Sequence, residues 1–249
     1  MKRVVAPKSK SYEHRILICE LLSKLGEADT LDAQGEPREA SDLRRTATRP
    51  SEDVMATKDC ISKIKLSLMD GRSEVVLDCN QSGSTLRFLL PIVCVLGLKA
   101  RFLMRGRLGK RPMDELINEL KAHGSNIDRE NDTICTSGKL EHGIFKLPGD
   151  ISSQYISGLL MALPLLEGDS EICVRKPLVS AGYIDMTLDV MRKFSIAVSE
   201  ESSGSEYIYR IKGGQRYIMP EKYIVEGDWS NSAFWFAVGV LGDEPLAIE

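Results

Sequence analysis

Apolar residues recur at intervals of three and four in six stretches of the chain, the spacing of helices with one buried face. The stretches are residues 12–25, 52–64, 85–96, 113–122, 153–166 and 185–194. Short runs rich in β-branched and aromatic residues lie between and after them and predict strands. The runs read KIKLSL, EVVLDC, KARFLM, TICTS, GIFKLP, SEICVR, SIAVSE and EYIYRIK. Helix and strand therefore alternate, which predicts an α/β fold.

The order of these elements repeats three times, at about residues 11–79, 80–150 and 151–212, each with two helices and several strands. A repeat in fixed order predicts pseudo-symmetric units packed together, with buried helices and outer sheets. The segment YIVEGDWSNSAFWFAVGVLG, residues 223–242, then predicts a strand, a turn and an apolar helix, as if a fourth unit began there. That helix needs a partner surface, either on the three units or outside this chain.

Composition narrows the classes of function. Of 249 residues, 43% are hydrophobic and 28% charged, and the net charge of −3 indicates no nucleic-acid or membrane-surface partner. No apolar stretch approaches bilayer length, and MKRVVAPKSK turns polar too soon for a signal peptide. Six scattered cysteines and three histidines argue against a metal site and for reduced thiols in the cytoplasm. Residues 26–50 are polar and rich in turn residues, which predicts a long surface loop.

Polar clusters stand at the starts of three predicted helices. They read KSKSYEHR (8–15), NQSGSTLR (80–87) and DISSQY (150–155). Ordinary capping by serine would explain any one of them. A helix start also offers unpaired backbone N–H groups and a partial positive charge, which attract phosphates and carboxylates. Gly83 would let a ligand approach the backbone closely at the second start.

Basic side chains accompany these starts: Lys10, Arg15, Arg87, Arg107 and Arg111. Arginine matches phosphate and carboxylate oxygens in bidentate fashion. Because a repeated fold gathers equivalent helix ends together, the three starts predict one site for several anionic groups. Neither GxxxxGK[ST] nor GxGxxG occurs, so a nucleotide P-loop or a dinucleotide-binding fold is not favoured.

Six segments follow one another in a characteristic order. They are SKS…R (9–15), SGSTLRFLLP (82–91), RLGKRPMDEL (107–116), SSQYISGLLMALPLL (152–166), SAGYIDMTLDVM (180–191) and YIVEGDWSNSAFW (223–235). The series resembles the 5-enolpyruvylshikimate-3-phosphate synthase family of enolpyruvyl transferases. The sister enzyme acting on a UDP-sugar shares the fold but is less similar. It typically has asparagine where this chain has Ser11, and a cysteine near the position of Arg107 where this chain has none.

The resemblance implies a reaction and its ligands. The family transfers the enolpyruvyl group of phosphoenolpyruvate to the 5-hydroxyl of shikimate 3-phosphate, releasing phosphate through a tetrahedral intermediate, with no metal or organic cofactor. Lys10 would be catalytic and contact both substrates. The implied shikimate-3-phosphate ligands are Lys10, Ser11, Arg15, Ser152, Ser153, Gln154 and Ser180, with Tyr183 lining the site. The implied phosphoenolpyruvate ligands are Lys10, Gly83, Arg107 and Gln154, while Arg87 and Arg111 would support helix ends.

Members of this family have two similar lobes that close on the substrates. By resemblance, residues 8–222 form the substrate-binding lobe of three units, and residues 1–7 and 223–249 begin a second lobe. The aspartate usually assigned proton transfer would lie outside this chain, and Asp185 and Asp228 are expected in turn and capping roles. We therefore expect a truncated enzyme that is inactive alone, or alternatively a non-catalytic anion-binding or interaction protein derived from the lobe. The expected partners are the two small-molecule substrates, with neither nucleic acid nor membrane, for a cytoplasmic monomer.

Overall fold

The structure is a computed structural model that describes residues 2–25, 50–71, 74–242 and 246–248. The helices are α1 (Lys10–Leu25), α2 (Glu52–Asp70), α3 (Gly83–Val95), α4 (Asp114–Ala122), α5 (Ser153–Ala162), α6 (Ala181–Lys193) and α7 (Trp229–Leu241). The strands are β1 (Lys2–Val4), β2 (Val75–Asp78), β3 (Ala100–Leu103), β4 (Asn126–Glu130), β5 (Thr133–Ser137), β6 (Ile144–Pro148), β7 (Ser170–Arg175), β8 (Val198–Ser203), β9 (Glu206–Ile211) and β10 (Leu246–Ile248). Two short 3-10 helices lie at Leu108–Lys110 and Leu163–Leu165.

Two four-stranded sheets repeat one topology. In each, two parallel strands joined by a helix are followed by a second helix and an antiparallel hairpin. The strand orders are β2-β3-β5-β4 and β6-β7-β9-β8, so the same connections occur twice. The tight hairpin turns contain Asn131 and Gly204 with φ of 49° and 53°, the left-handed conformation that such turns favour. β1 and β10 form a separate parallel pair.

Helices α3 and α5 form the centre of the core. Nearly every residue of both helices is buried, and they pack against each other along their length. Their close approach depends on Gly158, because a Cβ at that position would lie 2.3 Å from the carbonyl oxygen of Arg87. Pro91, four residues further along α3, has no N–H to donate to that carbonyl. α6 packs against both α5 and α1, and α1 also contacts α3, so the starts of α1, α3 and α5 are near neighbours.

The α/β architecture with buried helices and mixed sheets is confirmed. The sheets pair strands across the limits expected for the repeated units. β2 lies before residue 79 but joins the sheet formed by residues 100–137, and β6 lies before residue 150 but joins the sheet formed by residues 170–211. The division into a lobe at 8–222 and the beginning of a second lobe stays a prediction.

Two predicted strands are wrong. The run KIKLSL belongs to α2, which continues to Asp70 and ends at Gly71 in the left-handed conformation (φ 60°). Its alternation of apolar and polar residues is typical of a strand, but the buried residues, Ile64 and Ser67, are three apart as in a helix, and Leu66 is half exposed. The strand expected at residue 223 is replaced by an isolated bridge between Lys8 and Gly227. Conversely, the structure contains two strands that were not predicted from the sequence, β4 and β10.

The apolar helix predicted near the C-terminal end of the sequence is present as α7, but it does not pack into the core. Ser232 is its one buried residue, and α7 contacts β10. Its large apolar side chains are exposed, with Trp229, Phe234 and Leu241 more than two-thirds accessible at 71%, 75% and 86%. The surface loop predicted at 26–50 lies, apart from its last residue, outside the described residues. Among the described residues, no helix is long and apolar enough to cross a membrane.

Candidate functional site

A cleft of about 410 Å³ opens where the starts of α1, α3 and α5 meet the segment that precedes α6. Twelve residues line it: Lys10, Ser11, Arg15, Ser84, Arg87, Ile151, Ser152, Ser153, Gln154, Val179, Ser180 and Tyr183. The lining contains three cations, several hydroxyls and an amide, and it contains no carboxylate. Helix starts add unpaired backbone donors to this surface. The cleft therefore suits a ligand that bears more than one anionic or hydroxyl group.

Lys10 is the first residue of α1, and its amino group forms an ion pair with a residue of the neighbouring helix α2. The Nζ atom lies 2.9 Å from Oδ2 of Asp53, in the first turn of α2. Both side chains are partly exposed, at 47% and 31%, so solvent screens the pair. The backbone N–H of Lys10 points to a carboxylate oxygen of Asp228 at 3.4 Å. Lys10 can therefore exchange its carboxylate partner for an incoming anion at small cost.

Arg15 lies one turn further along α1 and is 2% exposed. Its Nε donates to the hydroxyl of Thr187 at 2.7 Å, and its terminal nitrogens donate to the carbonyls of Ser11 at 2.6 Å and Tyr183 at 2.9 Å. The guanidinium carbon lies 4.9 Å from the centre of the Phe88 ring. Burial lowers the pKa of Arg15 to about 10. Within the described ranges no carboxylate pairs with it, so its charge contributes directly to the potential in the cleft.

The side chain of Gln154 ties α5 to α3 at the floor of the cleft. Its Nε2 donates to Ser84 Oγ at 2.9 Å, and its Oε1 accepts from Arg87 Nη1 at 2.7 Å. Ser152 caps α5 by accepting from the backbone N–H of Gln154 at 3.3 Å. Burial lowers the pKa of Arg87, whose Nη2 also donates to the carbonyl of Pro112 at 3.1 Å. The amide is thus oriented before any ligand arrives.

Ser180 closes the cleft on the side of α6. It adopts the left-handed conformation, with φ 58° and ψ 39°, which is uncommon for a residue with a side chain. Its hydroxyl makes no capping hydrogen bond to α6. Non-glycine residues in this region often mark functional sites, where the surrounding structure stabilises a strained backbone. The conformation turns the segment before α6 toward the starts of α1 and α5.

A buried chain of hydrogen bonds lies behind the cleft and joins three helices. His14 Nδ1 is 2.8 Å from Thr57 Oγ1, and Thr57 Oγ1 is 2.6 Å from Thr85 Oγ1. Thr85 in turn donates to Ser82 Oγ, the cap of α3, at 2.7 Å. Burial lowers the pKa of His14 to about 4, so this imidazole is neutral at pH 7. The chain fixes the starts of α1, α2 and α3 relative to one another.

The structure brings most of the implied ligands together. All seven residues implied for shikimate 3-phosphate line the cleft, as does Tyr183. Of the others, Gly83 lies at its edge, since a Cβ there would be 2.9 Å from Arg111 Nη1 and 3.6 Å from Gln154 Oε1. Arg107 is exposed and lies outside the lining residues. The role of each as a ligand stays a prediction.

Sequence reasoning missed two polar residues of the cleft region, Asp53 and Ser84, and two apolar lining residues, Ile151 and Val179. Asp53 follows the α2 cap and could have been noticed only as an acidic residue in a first turn. Ser84 stands within the quoted motif SGSTLR, directly after Gly83. Asp228 has the capping role expected of it, because its carboxylate accepts from the backbone N–H of Asn231 at 3.0 Å. Asp185 lies within the first turns of α6.

The donor set of the cleft does not fit a metal ion, because ammonium and guanidinium groups repel cations. In the part of the chain that the structure describes, no group of three or more histidine, cysteine, aspartate or glutamate residues could hold one. The positive charge instead matches phosphate or carboxylate ligands.

Comparisons with known sequences agree with this geometry. A family model described as EPSP synthase (3-phosphoshikimate 1-carboxyvinyltransferase) matches residues 2–249. The 3-phosphoshikimate 1-carboxyvinyltransferase of Clostridium perfringens (strain SM101 / Type A) is 40% identical over 258 residues, covering 97% of this chain and 56% of that protein. The protein of the same name from Clostridioides difficile (strain 630) is 36% identical over 251 residues, covering 97% and 56%. The chain thus spans just over half the length of these curated relatives.

Solved structures show the same fold. An EPSP synthase from Acinetobacter baumannii superposes with a TM-score of 0.71 at 18% identity, covering 99% of this chain and 55% of that one. The enolpyruvyl transferase NikO from Streptomyces tendae gives a TM-score of 0.56 at 15% identity, covering 100% and 57%. The fold, the family model and the relatives confirm the resemblance drawn from the six segments: the chain belongs to the EPSP synthase (3-phosphoshikimate 1-carboxyvinyltransferase) family.

Proposed function

We propose that the cleft binds shikimate 3-phosphate and forms one side of an active site for enolpyruvyl transfer. In that reaction the 5-hydroxyl of shikimate 3-phosphate gives up its proton and adds to C2 of phosphoenolpyruvate while C3 gains a proton. The tetrahedral intermediate then loses a proton from C3 and phosphate from C2, which restores the double bond. The observation that best supports the proposal is the cleft lining, where three cations and three helix starts meet with no carboxylate among them. Family membership supplies the identity of the anions.

The residues of the cleft divide by their chemistry. Ser152 and Ser153, at the start of α5, offer hydroxyls and backbone N–H groups to the phosphate of shikimate 3-phosphate. Arg15 contributes a buried positive charge, and Ser180 offers a hydroxyl that is not used in capping. Hydrogen bonds of this kind to a charged group contribute about 1.5–3 kcal/mol each.

Lys10 stands where both substrates would meet. Because its ion pair with Asp53 is partly exposed, its amino group can leave that partner and stabilise negative charge that develops on the reacting group. Phosphoenolpyruvate would lie on the side of Gly83, where the missing Cβ leaves room beside the Arg111 guanidinium. Gln154, held between Arg87 and Ser84, would face both ligands.

We expect the 249-residue chain by itself to bind shikimate 3-phosphate but not to release phosphate from phosphoenolpyruvate. Catalysis requires groups directed at the transition state in a site from which water is excluded. Three lining residues, Ile151, Val179 and Tyr183, are instead exposed to 39%, 39% and 42%. The enolpyruvyl transfer itself is proposed for a protein of the relatives' full length.

Titration calorimetry with shikimate 3-phosphate, with unphosphorylated shikimate as the control ligand, tests the proposal. We expect saturable binding of the phosphate ester and at least tenfold weaker binding of shikimate. Lys10→Ala and Arg15→Met should each weaken the ester, whereas Lys212→Ala, an exposed lysine paired with Asp169 at 2.6 Å, should not. Absence of binding at millimolar shikimate 3-phosphate would refute the proposal and favour the non-catalytic alternative. Steady phosphate release that Lys10→Ala abolishes would show that the chain is an enzyme without further parts.

A further inference from the structure

The loop between β3 and α4 contains Arg107 and is fastened to the end of β2 by a pair of charged residues, Asp78 and Arg105. We propose that this pair, here called the clasp, positions the Arg107 loop so that its cationic side chain can hold an anionic group of phosphoenolpyruvate. The inference rests on the proposed function and extends it to two residues outside the cleft. Asp78 and Arg105 act as positioning residues, because neither lies among the residues that line the cleft.

The clasp joins the ends of two neighbouring parallel strands. Asp78 is the last residue of β2, and Arg105 follows β3 by two residues. The Nε of Arg105 lies 3.0 Å and its Nη2 2.5 Å from Oδ2 of Asp78, with Nε also 3.2 Å from Oδ1. The backbone reinforces the connection, since the N–H of Arg105 donates to the carbonyl of Asn80 at 2.7 Å. Such a fork fixes direction as well as distance.

The next residue, Gly106, fixes the path of the loop backbone. Its φ of +58° is a left-handed conformation that side chains disfavour. A Cβ there would also lie 2.4 Å from Oε1 of Gln81, which stands two residues before Gly83. The chain therefore turns directly over Gln81, and this turn sets where the backbone of Arg107 begins.

The other end of the loop is fastened as well. The carbonyl of Pro112 accepts from Arg87 Nη2 at 3.1 Å and from the Tyr155 hydroxyl at 2.5 Å. The carbonyl of Gly109 accepts from Arg129 Nη2 at 2.6 Å. Between these fixed ends, the guanidinium of Arg107 makes no hydrogen bond or ion pair with any residue that the structure describes. A charged side chain without a partner, on a backbone held at both ends, is suited to an external anion.

The clasp contributes little to global stability, which separates its role from folding. The Arg105 side chain is 63% exposed and that of Asp78 is 28% exposed. Exposed pairs of this kind contribute little to stability because solvent screens them, even though the hydrogen bond from the arginine lowers the pKa of the Asp78 carboxyl. Removing the pair should therefore leave the fold intact and release only the loop.

The test compares Asp78→Asn with Glu74→Gln in the full 249-residue chain. Glu74 pairs with Arg101 Nη2 at 3.1 Å near the opposite ends of β2 and β3. The substitution Glu74→Gln therefore removes an equivalent charge at a distance from the loop. Hydrogen exchange of residues 105–111 should become several-fold faster in Asp78→Asn and stay unchanged in Glu74→Gln. With shikimate 3-phosphate saturating, the dissociation constant of phosphoenolpyruvate should rise about two- to fivefold in Asp78→Asn alone, the range by which loss of an exposed ion pair can lower the population of the positioned loop. The charge-reversed double variant Asp78→Arg/Arg105→Asp should restore much of the affinity.

The clasp proposal would be overturned if Asp78→Asn left either hydrogen exchange of the loop or the affinity for phosphoenolpyruvate unchanged. It would also be overturned if Glu74→Gln lowered that affinity equally. Failure of the unmodified chain to bind phosphoenolpyruvate beside shikimate 3-phosphate would also overturn it, because the positioned loop would then hold no ligand. Binding of shikimate 3-phosphate distinguishes the two proposals. If Asp78→Asn still binds it, the result for phosphoenolpyruvate tests the clasp alone. If the unmodified chain does not bind it, the proposed function fails and the clasp fails with it.

Discussion

Replacing Arg15 with methionine tests the buried charge in two ways, through anion binding and through the stability of the fold. Burial lowers the pKa of Arg15 to about 10, between two and three units below the ordinary value for arginine. At about 1.36 kcal/mol per pKa unit, keeping this charge buried costs about 3 kcal/mol of folding free energy. Methionine removes that cost, and it keeps an unbranched side chain of similar length in contact with the Phe88 ring.

The substitution also removes hydrogen bonds to the Thr187 hydroxyl and to the carbonyls of Ser11 and Tyr183, all between 2.6 and 2.9 Å. Hydrogen bonds to a charged group contribute about 1.5–3 kcal/mol each, or about 4.5–9 kcal/mol together. The loss exceeds the gain of about 3 kcal/mol, so Arg15→Met should lower the free energy of unfolding by about 1.5–6 kcal/mol. The affinity for shikimate 3-phosphate should fall by about 10- to 150-fold, because a charge-assisted hydrogen bond of about 1.5–3 kcal/mol is lost.

Urea unfolding and titration calorimetry on the same preparation measure both quantities. Arg101→Met is the matched control, since Arg101 is an exposed arginine of β3 that pairs with Glu74 at 3.1 Å. It should change stability by no more than about 0.5 kcal/mol and leave ligand affinity alone. Wild-type affinity in Arg15→Met would refute Arg15 as a ligand. An unchanged or increased free energy of unfolding would refute the expectation that the hydrogen bonds outweigh the cost of charge burial.

Three further substitutions have defined outcomes. Asp53→Asn removes the carboxylate that competes for Lys10, so titration should show two- to fivefold tighter binding of inorganic phosphate, and weaker binding would contradict this role. Gly158→Ala places a Cβ 2.3 Å from the Arg87 carbonyl and should lower the unfolding free energy by about 1–3 kcal/mol in urea, which an unchanged midpoint would contradict. His14 has a folded pKa of about 4, so only the unfolded state gains its proton as the pH falls below about 6.5. Stability should decline by up to about 3 kcal/mol between pH 6.5 and 4, and His14→Asn, compared by urea unfolding at several pH values, should lose that part of the decline.

The helices were predictable from the sequence because their apolar spacing is regular over two turns or more. The run KIKLSL shows the limit of that reasoning, since its alternation is typical of a strand although it continues the buried face of α2. What ends the helix is Gly71, in the left-handed conformation that stops α2 one residue after Asp70. The strand expected near residue 223 failed for another reason: the chain there makes an isolated bridge with the segment before α1 and no longer ladder.

The cleft was predictable in composition but not in its internal contacts. Three polar helix starts and a repeated order of elements sufficed to expect that Lys10, Arg15 and Gln154 would come together. The partner of Lys10 could not be inferred, because Asp53 is 43 residues away and meets it only through the packing of α1 on α2. The same holds for Asp78 and Arg105, which are 27 residues apart and meet because β2 and β3 are parallel neighbours.

The charge left unpaired in the cleft also explains why an anionic ligand should stabilise this chain. The cost of burying Arg15, about 3 kcal/mol, persists as long as no counter-ion is present. A ligand that supplies the counter-ion binds only the folded state, and at 100 times its dissociation constant it adds about 2.7 kcal/mol to stability. A cation buried without a carboxylate is therefore suited to ligand binding, because an anionic ligand supplies the counter-ion that the fold does not.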